Sequence, residues 1–122
     1  MFNETTGDMK LIDFEYASMS DPYNDLGCYS TSNYLTEAMD VELCKLYHDG
    51  WDEKGFARMK LYKIVADIKW GYWALQQSLY SDVDFDYMQW YGVQFSRLLH
   101  MWQDPRLDYW INLLKGTPVF MK

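Results

Sequence analysis

The chain has 122 residues, of which 49% are hydrophobic, and its formal net charge is −7. This length suits a single domain or part of one, and the hydrophobic fraction is large enough to build a core. The negative charge argues against a nucleic-acid-binding protein, because a phosphate backbone requires clustered Lys and Arg side chains.

Residues 1–14 are predicted to form a β-hairpin. Its first strand would cover only residues 1–3 and its second residues 9–14, with a glycine-containing turn between them. A two-stranded ribbon is marginal in water on its own. Its free edge and apolar surface therefore predict either self-association or pairing with further polypeptide. The Asp21-Pro22 pair then marks a turn.

The rest of the chain has helical patterns. Apolar residues recur at spacings of three and four in the longest segment, and Lys60 and Lys63 are predicted to lie on its solvated face. Five helices are predicted, with approximate bounds 26–38, 41–49 after an Asp40 cap, 56–79, 85–103 after an Asp84 cap, and 106–115. The predicted fold class is therefore mainly α, with a short N-terminal β-hairpin followed by about five helices.

The cysteines and the hydropathy of the chain predict a cytoplasmic protein. Cys28 and Cys44 lack C-x-x-C spacing, which favours two reduced, buried thiols over a disulfide scaffold or a zinc site. No stretch approaches the ~20 apolar residues of a membrane span. Residues 1–10 have neither the basic lead nor the apolar core of a signal peptide.

Two acids after the second predicted strand are candidates for a metal site. Asp13 and Glu15 have the same strand parity, so both carboxylates would leave the same face. Mg²⁺ prefers oxygen ligands and usually keeps waters and substrate phosphates as its remaining ligands. The alternative is that both are ordinary solvated surface acids.

The segment LIDFEYASMSDPYNDLG, residues 11–27, resembles the metal-binding segment of the choline and ethanolamine kinases. These kinases are a branch of the wider aminoglycoside phosphotransferase and kinase-like group. IKWGYWALQQ, residues 68–77, is similar to their W-G-x-W helix, and DFDYMQWYGVQF, residues 84–95, is similar to their F-x-Y-M-x-Y segment. The resemblance implies that residues 1–122 form a single partial domain, the helical C-terminal subdomain of a kinase-like fold.

The resemblance implies a role for each acid of the first segment. Asp13 matches the Mg²⁺-binding Asp, whose metal bridges the ATP phosphates during phosphoryl transfer. Glu15 matches the second acid of the motif, a partner of the metal or of its water shell. Asp25 matches an acid that anchors the catalytic loop by hydrogen bonds, which is a structural role.

The resemblance also assigns tryptophans to a substrate cage. Trp70 and Trp73 match the two cage tryptophans, and Trp90 falls where the family usually has a Tyr of the same cage. A trimethylammonium group cannot donate a conventional hydrogen bond, so its charge is best met by ring faces, each contributing ~0.5–2 kcal/mol. Trp70 and Trp73 are three residues apart and would share one helix face. The alternative is that they are core rings.

The chain departs from the family in one large respect. These kinases carry an H-x-D-x-x-x-x-N catalytic loop and a nucleotide lobe, and neither occurs in this sequence. Asp21, Asp82 and Asp84 are predicted to be turn and cap residues rather than replacement bases. We therefore expect no catalytic residue within the chain, and no kinase activity from the chain alone. In addition, Ser32 stands where several choline kinases have a Glu, which weakens the case for choline over ethanolamine.

The resemblance implies that the chain is the C-terminal part of a choline/ethanolamine-kinase-like phosphotransferase of phospholipid biosynthesis. The complete enzyme would use Mg²⁺ and ATP to phosphorylate the hydroxyl of choline, and its partners would be small molecules rather than nucleic acid. One alternative is an aminoglycoside or other small-molecule phosphotransferase, whose substrate site would be lined by acids. Another is a non-catalytic helical module that only binds a partner.

Overall fold

The computed structural model describes residues 1–14 and 16–116. Its helices within these residues are α1 (Pro22–Ser32), α2 (Glu37–His48), α3 (Glu53–Tyr80), α4 (Tyr87–Trp102) and α5 (Leu107–Leu114). The prediction of a mainly α fold with about five helices is confirmed. Of the helices described, not one combines the length and apolar character needed to cross a bilayer.

The prediction of an N-terminal β-hairpin is wrong. The only pairing within residues 1–14 is an isolated antiparallel bridge between Phe2 and Met9. Asp13 has a φ of 68°, a left-handed conformation that an extended strand does not contain. Every residue of this segment is exposed. Because neither face of the segment is buried against a core, an alternating apolar pattern is not enough to extend the pairing.

The structure places the first two helix starts earlier than predicted. The Asp21 carboxylate accepts a hydrogen bond from the Tyr23 backbone N–H at 3.0 Å, so Asp21 is the cap of α1 and Pro22 its first residue. The prediction that Asp21 is a turn or cap residue is therefore confirmed. Thr36, not Asp40, caps α2, so Asp40 lies inside that helix.

The start of α4 also differs from the prediction. Asp86 caps this helix, and its Oδ1 accepts a hydrogen bond from the Gln89 N–H at 2.8 Å. Asp84, the predicted cap, lies in the segment before it. Both are acids close to a plausible helix start, so composition alone does not decide between them.

Helix α3 is the centre of the fold and contacts the other four helices. Two glycines allow close approach to it. A Cβ on Gly27 of α1 would lie 2.7 Å from the Tyr62 Cβ of α3, and a Cβ on Gly71 of α3 would lie 2.6 Å from the Phe95 ring of α4. Larger residues at these positions would push α1 and α4 away from α3.

The hydrophobic core lies between α3 and the helices that flank it. Its buried members are Cys44, Phe56, Ala57, Met59, Ile64, Met101, Leu107 and Trp110. Both cysteines are free, with Cys44 buried and Cys28 half-buried.

A buried charge cluster joins α1, α2 and α3. Asp40, fully buried, accepts hydrogen bonds from Lys63 Nζ at 2.7 Å and from Lys60 Nζ at 3.4 Å, and the Ser30 hydroxyl also donates to it. The prediction that the two lysines lie on a solvated face is wrong. A buried aspartate requires compensating positive charge, and these lysines provide it.

Candidate functional site

The three tryptophans predicted to form a cage pack together in space. Trp70 and Trp73 of α3 are edge-to-face, with ring centroids 5.8 Å apart and planes at 77°. Trp73 makes a similar contact with Trp90 of α4, at 5.5 Å and 70°. Edge-to-face contacts set the positive edge of one ring against the negative face of the next, which fixes the relative orientation of the rings.

Two of these rings line a common cavity, which we call the inner cavity. Its volume is ≈190 Å³ and it is lined by Ser32, Tyr34, Trp70, Trp90 and Gln94. Trp73 is not among the lining residues, but it contacts both tryptophans that are. The described residues around this cavity include no carboxylate. A ligand there would meet aromatic rings, hydroxyl groups and one amide.

A second and larger cavity shares part of this wall, and we call it the outer cavity. Its volume is ≈470 Å³ and it is lined by Tyr34, Phe85, Asp86, Gln89, Trp90 and Val93. Tyr34 and Trp90 belong to both cavities, so the two are neighbours. The outer cavity differs chemically from the inner one because an acid, Asp86, is among its lining residues.

Asp86 is the site residue that sequence reasoning missed. The D-F-D triplet at the start of residues 84–95, the segment similar to the kinases' F-x-Y-M-x-Y segment, could have indicated it. There an acid directly follows Phe85 and precedes a helix whose fourth residue is Trp90. A capping acid at that point must lie close to the rings of the first helical turn.

A buried polar network fixes the helices that carry these cavities. Arg97 of α4 donates from Nη1 to the Thr31 carbonyl of α1 at 2.9 Å and from Nε to Asp67 Oδ2 of α3 at 3.1 Å. The Thr31 hydroxyl donates to Asp67 Oδ1, also at 3.1 Å. Asp67 is completely buried. The guanidinium of Arg97 also lies 5.1 Å from the centroid of the Tyr34 ring, which orients that wall of both cavities.

Two of the segments that resemble the kinases, residues 11–27 and 68–77, contact each other at Trp70. The Tyr16 ring, from the D-F-E-Y-A segment, is edge-on to the Trp70 ring, with centroids 6.1 Å apart and planes at 90°. The Lys69 ammonium lies 4.8 Å from the Trp70 centroid and 5.5 Å from the Tyr16 centroid. Burial raises the pKa of the nearby Cys28 thiol, an effect larger than the opposing hydrogen bond from Trp70. Residues distant in sequence therefore surround one ring.

The structure describes one of the two predicted metal-binding residues. Asp13 is exposed and makes no hydrogen bond or ion pair with another described residue, while Glu15 lies outside the described residues. Across residues 1–14 and 16–116, no three His, Cys, Asp or Glu side chains converge on a common point. One exposed carboxylate fits the donor chemistry of Mg²⁺, which takes one or two protein carboxylates together with substrate phosphates. Asp25 is exposed in the first turn of α1.

Comparison with known proteins finds distant relatives of one kind. The chain is 24% identical to ethanolamine kinase 1 of Homo sapiens and of Mus musculus, over 125 aligned residues and 83% of its length. It is 30% identical to probable ethanolamine kinase A of Dictyostelium discoideum over 57% of its length. The matched regions are 28%, 34% and 17% of those proteins, so the chain spans about a third of its curated relatives or less. No family model and no solved structure matches it. The chain is thus distantly similar to ethanolamine kinases over most of its length.

Proposed function

We propose that this chain is the helical, substrate-binding part of a choline/ethanolamine-kinase-like phosphotransferase. The observation that carries the proposal is the contact between Tyr16 and Trp70, whose ring centroids are 6.1 Å apart. It brings the segment that resembles a Mg²⁺-binding motif next to the segment that resembles a choline cage. A kinase needs this juxtaposition, because the phosphates and the accepting hydroxyl must meet.

In this proposal the tryptophans receive the organic cation. Trp70 and Trp90 offer ring surfaces to the inner cavity, and Trp73 holds both rings in place through edge contacts. A quaternary ammonium has no N–H donor, so ring faces suit it better than hydrogen-bond acceptors. The lack of a carboxylate among the described lining residues favours choline in this cavity over a polyamine such as an aminoglycoside.

Asp13 would hold the Mg²⁺ ion, with Glu15 as the second acid. When bound, the ion neutralises charge on the ATP phosphates. Asp25 would anchor the catalytic loop, because its exposed carboxylate in the first turn of α1 can accept hydrogen bonds from another segment. The catalytic base and the nucleotide-binding groups would come from polypeptide outside these 122 residues, so the chain alone should not turn over ATP. The complete enzyme would act in the cytoplasm, in phospholipid biosynthesis.

Ethanolamine is the second candidate substrate. The relatives named above are ethanolamine kinases. A primary ammonium can donate hydrogen bonds to a nearby carboxylate, whereas a quaternary ammonium gains only its Coulomb attraction. The two substrates are therefore separable by experiment.

A chimaera tests the proposal. Residues 1–122 would replace the aligned region of human ethanolamine kinase 1, and the KM values for choline, ethanolamine and ATP would be measured by a coupled assay. Trp70→Ala and Trp90→Ala should each raise the KM for choline about five- to thirtyfold, corresponding to ~1–2 kcal/mol. The KM for ATP should change little, because neither ring lies in the phosphate-binding segment. Trp102→Ala, at an exposed site, is the control.

Three outcomes would contradict the proposal. One is a folded chimaera that transfers no phosphoryl group from ATP to either amino alcohol. Another is a Trp70 or Trp90 variant that loses thermal stability while its choline KM stays unchanged, since the rings would then be only packing residues. A third is turnover of ATP and choline by the unmodified 122-residue chain, which would show that its own residues supply the base.

A further inference from the structure

The outer cavity combines an acid with aromatic surface. The Phe85 and Trp90 rings have centroids 5.6 Å apart and planes at 72°, so their faces are steeply inclined to each other. Two inclined ring faces can contact one cation from two directions. Asp86 lines the same cavity. Rings together with a carboxylate form an environment suited to an organic ammonium ion.

The carboxylate of Asp86 keeps an oxygen available for a ligand. Its Oδ1 accepts the N–H of Gln89 at 2.8 Å, and this bond fixes the side chain as the cap of α4. Its Oδ2 has no hydrogen bond or ion pair with any residue that the structure describes. An ionised carboxylate offers about four acceptor positions, so capping uses only part of its capacity.

The charge balance of the outer cavity depends on this residue. The amino end of α4 carries a partial positive charge of about +0.5, which by itself would repel a cation. Arg97, which lies 5.1 Å from the centroid of the Tyr34 ring, adds a full positive charge, and Asp67 compensates it. Asp86 is the acid in the wall of the outer cavity, so its carboxylate makes that wall attractive to a cation.

We propose that Asp86 is the counter-charge of the substrate ammonium and determines preference among amino alcohols. This inference rests on the proposed function. It assigns the ionic contact of the substrate ammonium to a residue outside the predicted tryptophan cage. Asp86 supplies the negative charge that Ser32 does not provide in the neighbouring cavity. A primary ammonium held at the Trp90 ring, which lines both cavities, can donate to Oδ2 of Asp86 on the outer side. A quaternary ammonium gains only the Coulomb attraction.

The test is an equilibrium titration of the full 122-residue chain, followed by tryptophan fluorescence. The ligands are ethanolamine, choline and 3,3-dimethyl-1-butanol, the neutral isostere of choline. Asp86→Asn removes the charge but keeps a residue that caps helices equally well. Asp84→Asn removes the same charge from an acid outside the cavity wall. Circular dichroism confirms that both variants retain their helices.

We expect Asp86→Asn to weaken ethanolamine binding about fivefold and choline binding about twofold, as for a partly exposed ion pair. Binding of the neutral isostere should not change, and Asp84→Asn should alter each affinity by less than about twofold.

Equal ethanolamine affinity in wild type and Asp86→Asn, with binding lost in Trp90→Ala, would overturn this inference but leave the proposed function standing. Equal losses in Asp84→Asn and Asp86→Asn would overturn it as a general charge effect. Absence of binding of either amine to the wild type would overturn both proposals.

Discussion

Residues 1–14 and the helical body, residues 22–114, use similar apolar side chains with opposite results. Met9 is 75% exposed, whereas Met59 is completely buried. Helices satisfy their backbone hydrogen bonds locally and need only bury one face, while a strand needs a neighbouring strand as well as a core. The body therefore forms a packed unit from its own residues, and the first segment forms one isolated bridge.

This difference separates the two halves of the candidate site. Helices α1, α3 and α4 build the cavities and hold them with the network around Arg97. In the acid motif Asp13 is exposed, and Tyr16 is the described residue through which the motif contacts Trp70. Cation binding should therefore depend on the body, and metal binding on additional polypeptide.

The sharpest stability contrast should come from one substitution made in both regions. Met59→Ala should lower the free energy of unfolding by about 2–5 kcal/mol, because it leaves a cavity in the core. Met9→Ala should change it by less than about 0.5 kcal/mol, since its side chain is exposed. Urea unfolding followed by circular dichroism measures both. Equal losses would mean that the N-terminal segment is packed as tightly as the body.

Breaking the network beneath the cavities should have the next largest effect. Asp67→Ala leaves the partly buried Arg97 without its carboxylate, and should destabilise the fold by about 3 kcal/mol. Glu42→Gln, which breaks an exposed pair with Lys45, should cost less than about 0.5 kcal/mol. Thermal unfolding compares the two variants. A loss below about 1 kcal/mol for Asp67→Ala would contradict the assigned role of the network.

Two glycine substitutions test how closely the helices approach. Gly27→Ala should destabilise the fold by about 1–3 kcal/mol, because its Cβ would lie 2.7 Å from the Tyr62 Cβ. Gly92→Ala is the matched change in α4, where a Cβ meets nothing within 4 Å. It should stabilise the protein by up to ~1 kcal/mol through helix propensity. Unfolding curves that show the same sign for both variants would argue against close packing of α1 on α3.

The smallest effect should be a loss of stability at alkaline pH. Burial, reinforced by the negative charge of Asp52, raises the pKa of Tyr23 to about 12 from its ordinary value of 10.0. The folded state therefore holds this proton more tightly than the unfolded state. Its contribution is fully present below pH 10 and is lost as the pH rises towards 12. Tyr23→Phe should show a smaller decline in this range, and an unchanged decline would assign the effect to other groups.

The sequence predicted the helices better than it predicted the N-terminal segment. Helical periodicity is a local property, so five helices could be predicted with errors mainly at their ends. Strand pairing in residues 1–14 depended on a partner that the local pattern does not reveal. Lys60 and Lys63 were misassigned because their burial depends on Asp40, which lies in another helix.

The candidate site was predictable where it rested on a single helix face. The spacing of Trp70 and Trp73 indicated that they share a face, and the structure places them in contact. The sequence did not indicate Asp86, because its proposed role depends on a cavity that α4 forms together with the segment after α1. Tyr34, with a φ of 55°, contributes to that wall from just beyond α1.

The most direct test of the account is a nuclear magnetic resonance titration that follows the indole N–H signals of the six tryptophans. The central claim is that the helical body, without further polypeptide, binds an organic cation between α3 and α4. Choline or ethanolamine should shift the signals of Trp70 and Trp90 saturably, and leave those of Trp51, Trp102 and Trp110 in place. The neutral isostere should shift them much less. No saturable shift at Trp70 or Trp90, or equal shifts at all six tryptophans, would contradict the claim.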